Sequence, residues 1–266
     1  MADSDTKGAF QVQMFICSNY LDRRELIERA AAQDALARSD AQTAPTGGFF
    51  KRLLRRIFGS GDARAARQGH MELRQAAAEH EIEAERWARG REGEELLAAV
   101  LAQRLDDRYV LLRNYTPPWP YAAGGDIDAM LLGPHGVTVF EIKAWRGEYL
   151  CQGEEWWWRP YANAGWQEAM GNPVRQALAN AERIRGVLRT AGMRGMHVQP
   201  MVAVADEEMR VEIAGRPGAY IFRACDPHAA VPSFGRGGRA LPDATLQRVH
   251  GALVAPLYVR RSATRR

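Results

Sequence analysis

Apolar and polar positions change their spacing twice along this chain. Tyr20 to Arg38 and Asp62 to about Arg89 are charged and alanine-rich with few large apolar residues, and both read as helix. Ser39 to Gly48 between them is small, polar and Pro/Gly-containing, which is a linker composition. Phe49 to Phe58 interleaves Lys51, Arg52, Arg55 and Arg56 with large apolar residues, a short basic amphipathic stretch that Gly59-Ser60-Gly61 breaks. From Trp87 the character changes. Leu97, Val100, Leu101 and Leu105 form a helical stripe, and Tyr109 to Tyr115 reads as a strand. Pro117 to Pro120 and Gly124-Gly125 are loop. Asp126 to Leu132 and Val137 to Lys143 are strands on either side of the turn Gly133-Pro134-His135-Gly136. A second hairpin is expected from Gly147 to Cys151 and Glu155 to Arg159. Asn172 as cap and Pro173 at the first helical position start a helix to about Thr190. Strands His197 to Ala205 and Ala219 to Ala224 and a helix Pro242 to Leu253 follow. The order predicts an α/β fold, a central mixed sheet flanked by helices. Residues 1–85 are expected to be a helical and linker appendage, 86–205 the core, and 206–266 strands and a helix that complete it.

Composition narrows the chemistry. No apolar run approaches the roughly 18 to 20 residues of a membrane span. Met1 to Phe10 does not read as a signal peptide, so the expected location is cytoplasmic. Cys17, Cys151 and Cys225 are too far apart for a disulfide framework or a zinc knuckle, and the histidines do not cluster. A metal, if used, would take oxygen ligands. The net charge of +4 permits nucleic-acid binding. Lysine occurs only at Lys7, Lys51 and Lys143; every other basic residue is arginine. A lysine in a structured segment is therefore informative.

The hairpin from Asp126 to Lys143 concentrates the charge. With the turn centred between Pro134 and His135, Asp128 falls opposite Glu141 and Asp126 opposite Lys143. Opposed residues lie close, and residues two apart share a face, so the four are expected to form a square. The surrounding positions are apolar, as in strands covered on both faces. Carboxylates there are costly unless paired or metal-bound. Two readings compete: a structural salt-bridge cluster, or a site for a divalent cation such as Mg²⁺.

Gly124 to Trp145 (GGDIDAMLLGPHGVTVFEIKAW), with Asp128, Glu141 and Lys143 at its reactive positions, resembles the nuclease-related domain (NERD), a branch of the PD-(D/E)XK nuclease superfamily. Gly93-Glu94-Glu95-Leu96-Leu97 is similar to the family's first helix, and Asn172-Pro173-Val174-Arg175-Gln176 to its post-motif helix. Ile127 stands where the superfamily's name-giving proline would be; that proline is not a ligand. The resemblance implies a restriction-endonuclease-like core, Mg²⁺ or Mn²⁺ as cofactor, nucleic acid (DNA first) as partner, and phosphodiester hydrolysis. Asp128 and Glu141 would hold the metal, with the Ile142 carbonyl as a further ligand. Lys143 would set a compact charge against the attacking hydroxide. Of the two helical acids, Glu94 shares a face with Leu97 and Leu101 and is the expected partner of the sheet; Gln176 would contact water, phosphate or a catalytic carboxylate.

The alternative is a protein that keeps the nuclease fold without cleaving, either a nucleic-acid-binding module or a membrane-peripheral scaffold. Residues 49–58 would then contact a membrane surface or a protein. Trp145, Trp156, Trp157 and Trp158 are candidates for base stacking, but Trp156 and Trp158 share one face and Trp157 takes the other, so at least one set is expected in the core.

Overall fold

In the computed structural model, residues 13–16, 20–43, 60–226 and 240–263 are described. The basic stretch 49–58 lies outside them. Two compact units are present, Tyr20–Arg91 and a larger one made of Met1–Asn19 with Glu92–Arg266.

The smaller unit holds α1 (Tyr20–Thr43) and the part of α2 (Ser60–Ala102) that ends at Arg91. Its buried positions are small: Ala32, Ala35, Ser39, Ala77 and Ala84. Small side chains let two helical backbones approach, and polar pairs fix them antiparallel. Ser39 meets His70 at 2.5 Å, Glu28 meets His80 at 2.8 Å and Glu25 meets Arg91 at 3.2 Å.

The larger unit is mixed α/β. Its six-stranded sheet has the order β1-β2-β3-β4-β8-β10, formed by Gln13–Ile16, Val110–Tyr115, Ile127–Gly133, Gly136–Lys143, Val198–Val204 and Tyr220–Arg223. The β2-β3-β4 meander is antiparallel; β1, β8 and β10 join in parallel. A four-stranded sheet, β7-β6-β5-β9, is built from Gln167–Glu168, Glu155–Arg159, Gly147–Gln152 and Met209–Ala214. Helices cover both faces of the larger sheet. Leu97, Ala98, Leu101 and Leu105 of α2 pack on Leu111, Ala129, Leu131, Phe140 and Ile142. On the other face, Ala181, Ile184, Val187 and Leu188 of α3 (Pro173–Thr190) and Val249, Leu253 and Val254 of α4 (Asp243–Ala263) pack on Leu112, Met130, Leu132, Val137 and Val139. The first turns of α3, through Val174 and Ala177, pack against Tyr149, Cys151 and Trp156 of the smaller sheet.

Two features differ from the expected organisation. The charged helix and the Glu94 helix are one continuous α2, because no Pro or cap interrupts Trp87 to Gly93. Residues 13–16 are an edge strand paired to β2, so the region expected to be an appendage contributes to the central sheet. The expected second hairpin, for which no sheet was assigned from sequence, pairs with β9 in the separate smaller sheet.

Candidate active site

The β3-β4 hairpin turns at Pro134-His135. Gly133 pairs with Gly136, and the ladder runs to Ala129 opposite Phe140. Gly136 takes φ +119°, and a Cβ there would stand 2.6 Å from the His197 carbonyl oxygen, so the turn requires glycine. The register is the one the turn predicts, but the expected square does not form. The pleat is interrupted at Asp128: Ile127 and Ala129, two apart, lie in the cores on opposite faces of the sheet. The same switch occurs in β2, where Arg113 pairs with Ala129 and Tyr115 with Ile127 around Asn114 at φ +51°. Asp128 thus leaves the face it would have occupied, and its Oδ2 accepts the Ile142 N–H at 2.7 Å. Asp126 precedes β3 and accepts a hydrogen bond from Thr116 Oγ1 instead of pairing with Lys143.

Acidic groups converge on Asp128 from both faces of the sheet. Glu94 comes from α2. It is only 5% exposed, and Arg113 donates to its Oε2 at 3.4 Å. Gly93 allows the approach: a Cβ there would lie 2.8 Å from the Ala205 Cβ. Burial, then the nearby Asp128 charge, push the Glu94 carboxyl up to about 8, against relief from Arg113 and a hydrogen bond from the Asn114 side chain. Glu141 comes from the α3 face, also 5% exposed. Its Oε1 accepts from Lys143 Nζ at 2.6 Å and its Oε2 from Asn180 Nδ2 at 3.2 Å. Burial and the Asp128 charge push this carboxyl up to about 7, with Lys143 and Asn180 pulling it back. Asp128 is raised chiefly by burial and further by Asp126, while Lys143 and the Ile142 N–H oppose the shift. Lys143 also lies 5.2 Å from the centre of the Trp145 ring.

The structure thus brings Glu94, Asp128, Glu141 and Lys143 together. Gln176 is exposed in the first turn of α3 and makes no hydrogen bond through its side chain among the described residues. One turn further on, Asn180 is the α3 residue that reaches the cluster. Arg183 holds it, donating to Asn180 Oδ1 at 2.8 Å. Both were missed from sequence. The signal was a polar residue at position 180 within the apolar stripe Ala177, Ala181, Ile184 and Leu188. Of the tryptophans, Trp156 is in the third core and Trp145 and Trp158 pack against it, so three of the four stacking candidates serve the core.

Residues 89–205 match the family model of the nuclease-related domain. This stretch is similar to the nuclease-related domain. It contains every residue of the cluster as well as Asn180 and Arg183. No curated protein and no solved structure matches the chain. No described helix is long and apolar enough to cross a membrane.

The donor set of this site fits a hard divalent cation of the Mg²⁺ type. Asp128 and Glu141 offer oxygen only, and burial raises both carboxyls, Asp126 adding to the shift of Asp128 and Asp128 to that of Glu141, a cost that a bound cation would relieve. Among the described residues no set of three or more His, Cys, Asp and Glu side chains is placed to hold a metal, which is unlike a structural zinc or a full calcium cage. Mg²⁺ is commonly bound through one or two carboxylates, with water and substrate phosphate completing its shell.

Proposed function

We propose that the protein hydrolyses phosphodiester bonds of nucleic acid, DNA first, with Mg²⁺ or Mn²⁺. One observation carries the reading: Glu94 and Glu141 converge on Asp128 where the pleat of β3 breaks, with Lys143 paired to Glu141, inside the stretch that matches the nuclease-related domain. Asp128 and Glu141 would hold the cation. When bound, a divalent ion neutralises the non-bridging phosphate oxygens and acidifies the attacking water.

The chain's own groups do the rest. Asn180 fixes one oxygen of Glu141, so the carboxylate cannot rotate away when Lys143 shifts from it. Lys143, held between Glu141 and the Trp145 ring, presents a compact ammonium to the attacking oxygen as its proton leaves. Glu94 holds a proton below about pH 8, which limits the charge of the cluster before substrate arrives. Arg113 beside it, part-buried, keeps positive charge on the α2 face. Gln176 remains a candidate for phosphate or water contact from its exposed turn. Residues 49–58 remain a candidate surface for weak membrane or protein contact.

Incubation with supercoiled plasmid and with single-stranded DNA, in Mg²⁺, Mn²⁺ or EDTA, tests the reading. Cleavage in either metal that stops in EDTA is expected; intact substrates under all three conditions would refute it.

A further inference from the structure

The loop from Thr116 to Asp126 joins β2 to β3 and is held at many points. Thr116 closes its base by donating to Asp126. Arg183 of α3 pins its second limb, donating to the carbonyl oxygens of Tyr121 at 2.9 Å, Gly125 at 2.6 Å and Ala122 at 3.4 Å. The Tyr121 ring packs so closely on Gly186 that a Cβ there would lie 2.3 Å from it, and its hydroxyl sits 3.2 Å from Thr190 Oγ1. Pro117, Pro118 and Pro120 restrict the first limb further. Yet this ordered loop leaves Trp119 85% exposed. An indole offers a large apolar area, and here the fold does not use it.

The loop's position limits what would use it. Trp119 is three residues from Thr116, so their Cα atoms are at most about 11 Å apart. Thr116 is bonded to Asp126, two residues before Asp128. Adding the Thr116–Asp126 contact and the at most about 7 Å from Asp126 to Asp128 keeps Trp119 within roughly 25 Å of Asp128, no more than some seven nucleotides along a strand at roughly 3.4 Å or more each. Pro117 to Gly125 carries no charged side chain, so the loop is not itself a phosphate clamp. Its other side chains, apart from Tyr121, are Pro, Ala and Gly, too small to build the extended, well-packed core of a protein interface. A flat ring in water beside a phosphodiester site matches the π-face of a nucleobase, and a paired base keeps that face inside the duplex stack.

We propose that Trp119 is a stacking platform for an unpaired base of the strand bound at the Asp128–Glu141 cluster, so that the substrate is single-stranded nucleic acid or a single-stranded end. The inference rests on the hydrolytic reading above for the placement of the strand, but its test does not depend on cleavage.

Binding is measured by fluorescence anisotropy with the full chain in EDTA. The probes are a labelled oligothymidylate, a blunt duplex of equal length, and an oligonucleotide of abasic sites that keeps the phosphates. Trp119→Ala is expected to weaken oligothymidylate binding on the order of 10-fold or more, while Trp119→Phe retains most of it. Duplex and abasic affinities should be the same for all three proteins. The fold-loss from Trp119→Ala should also persist as salt is raised, since stacking releases few counterions. The proposal is overturned if wild type does not bind oligothymidylate, if Trp119→Ala binds it as wild type does, or if the loss is equal on the abasic probe. The last result would point to backbone contact, and the second would leave the indole to a protein partner. A protein that shows the expected stacking pattern but never cleaves in Mg²⁺ or Mn²⁺ would keep the platform and lose the hydrolytic reading.

Discussion

Replacing Glu94 by glutamine should remove a specific pH dependence of stability. The Glu94 carboxyl is pushed from its ordinary 4.5 to about 8, chiefly by burial and then by Asp128. The folded protein therefore holds a proton that the unfolded chain releases. The stability this confers is fully present below the unfolded value and is lost as pH rises through the folded one. Across that window the loss is about 1.4 kcal/mol per pH unit for one proton. Between pH 5 and 7.5 the sum is about 3 kcal/mol, allowing for partial ionisation at each end. Glutamine keeps the shape, can accept from Arg113, and never ionises. Denaturant unfolding of wild type and Glu94→Gln in EDTA across this range is the assay. Near pH 5 the variant should be about as stable as wild type or slightly less so. By pH 7.5 it should have gained about 3 kcal/mol relative to wild type. Parallel pH profiles for the two proteins would refute the reasoning, because they would mean that Glu94 keeps an ordinary affinity for its proton.

Other expectations follow from the same cluster. Lys143→Arg, on a substrate that wild type cuts, should lose nearly all cleavage while DNA binding and stability change little, because a planar guanidinium cannot take the place of an ammonium between Glu141 and the attacking oxygen; wild-type rates would instead fit a structural ion pair. Asn180→Ala and Arg183→Ala should each weaken Mn²⁺ binding, measured by calorimetry, by roughly 10-fold or more, and the double variant should lose no more than the worse single one. Arg185→Ala serves as the control, since Arg185 anchors the same helix to the Val198 carbonyl away from the cluster. Mn²⁺ affinity should rise from pH 6 to pH 8, because Glu141, raised to about 7, must be deprotonated to bind; a flat profile would place the metal elsewhere.

Much of this site was legible in the chain because it rests on short-range rules. A two-residue turn fixes the register of the strands it joins, so Gly133-Pro134-His135-Gly136 was enough to set the ladder from Gly133 opposite Gly136 to Ala129 opposite Phe140. Helical spacing alone chose Glu94 over Glu95, since only the former shares a face with Leu97 and Leu101; Glu94 is buried and Glu95 exposed. Asn172 and Pro173 likewise marked the start of α3, and the Asn172 side chain accepts from Arg175 N at 2.9 Å. What was not legible depends on distant partners. The face switch at Asp128 follows from Asn114 in the neighbouring strand, and alternation within β3 cannot show it. Strand β1 is four residues long, and its pairing to β2 depends on the fold of the whole unit. Asn180 and Arg183 become meaningful only when α3 is laid over β4 and the Tyr121–Gly125 loop comes within reach. Gln176 carried the motif resemblance, but the cluster is reached from one turn later.

The most direct test of the central claim compares wild type with Glu141→Gln, purified side by side, in nicking supercoiled plasmid with Mg²⁺. The variant keeps the volume of the side chain and removes one charge from the pair proposed to hold the metal. Wild type is expected to nick in Mg²⁺ and to stop in EDTA, while folded Glu141→Gln leaves the plasmid intact at the same concentration. Equal nicking by the two proteins, or none by wild type, would contradict the assignment of Asp128, Glu141 and Lys143 as a metal-dependent hydrolytic site.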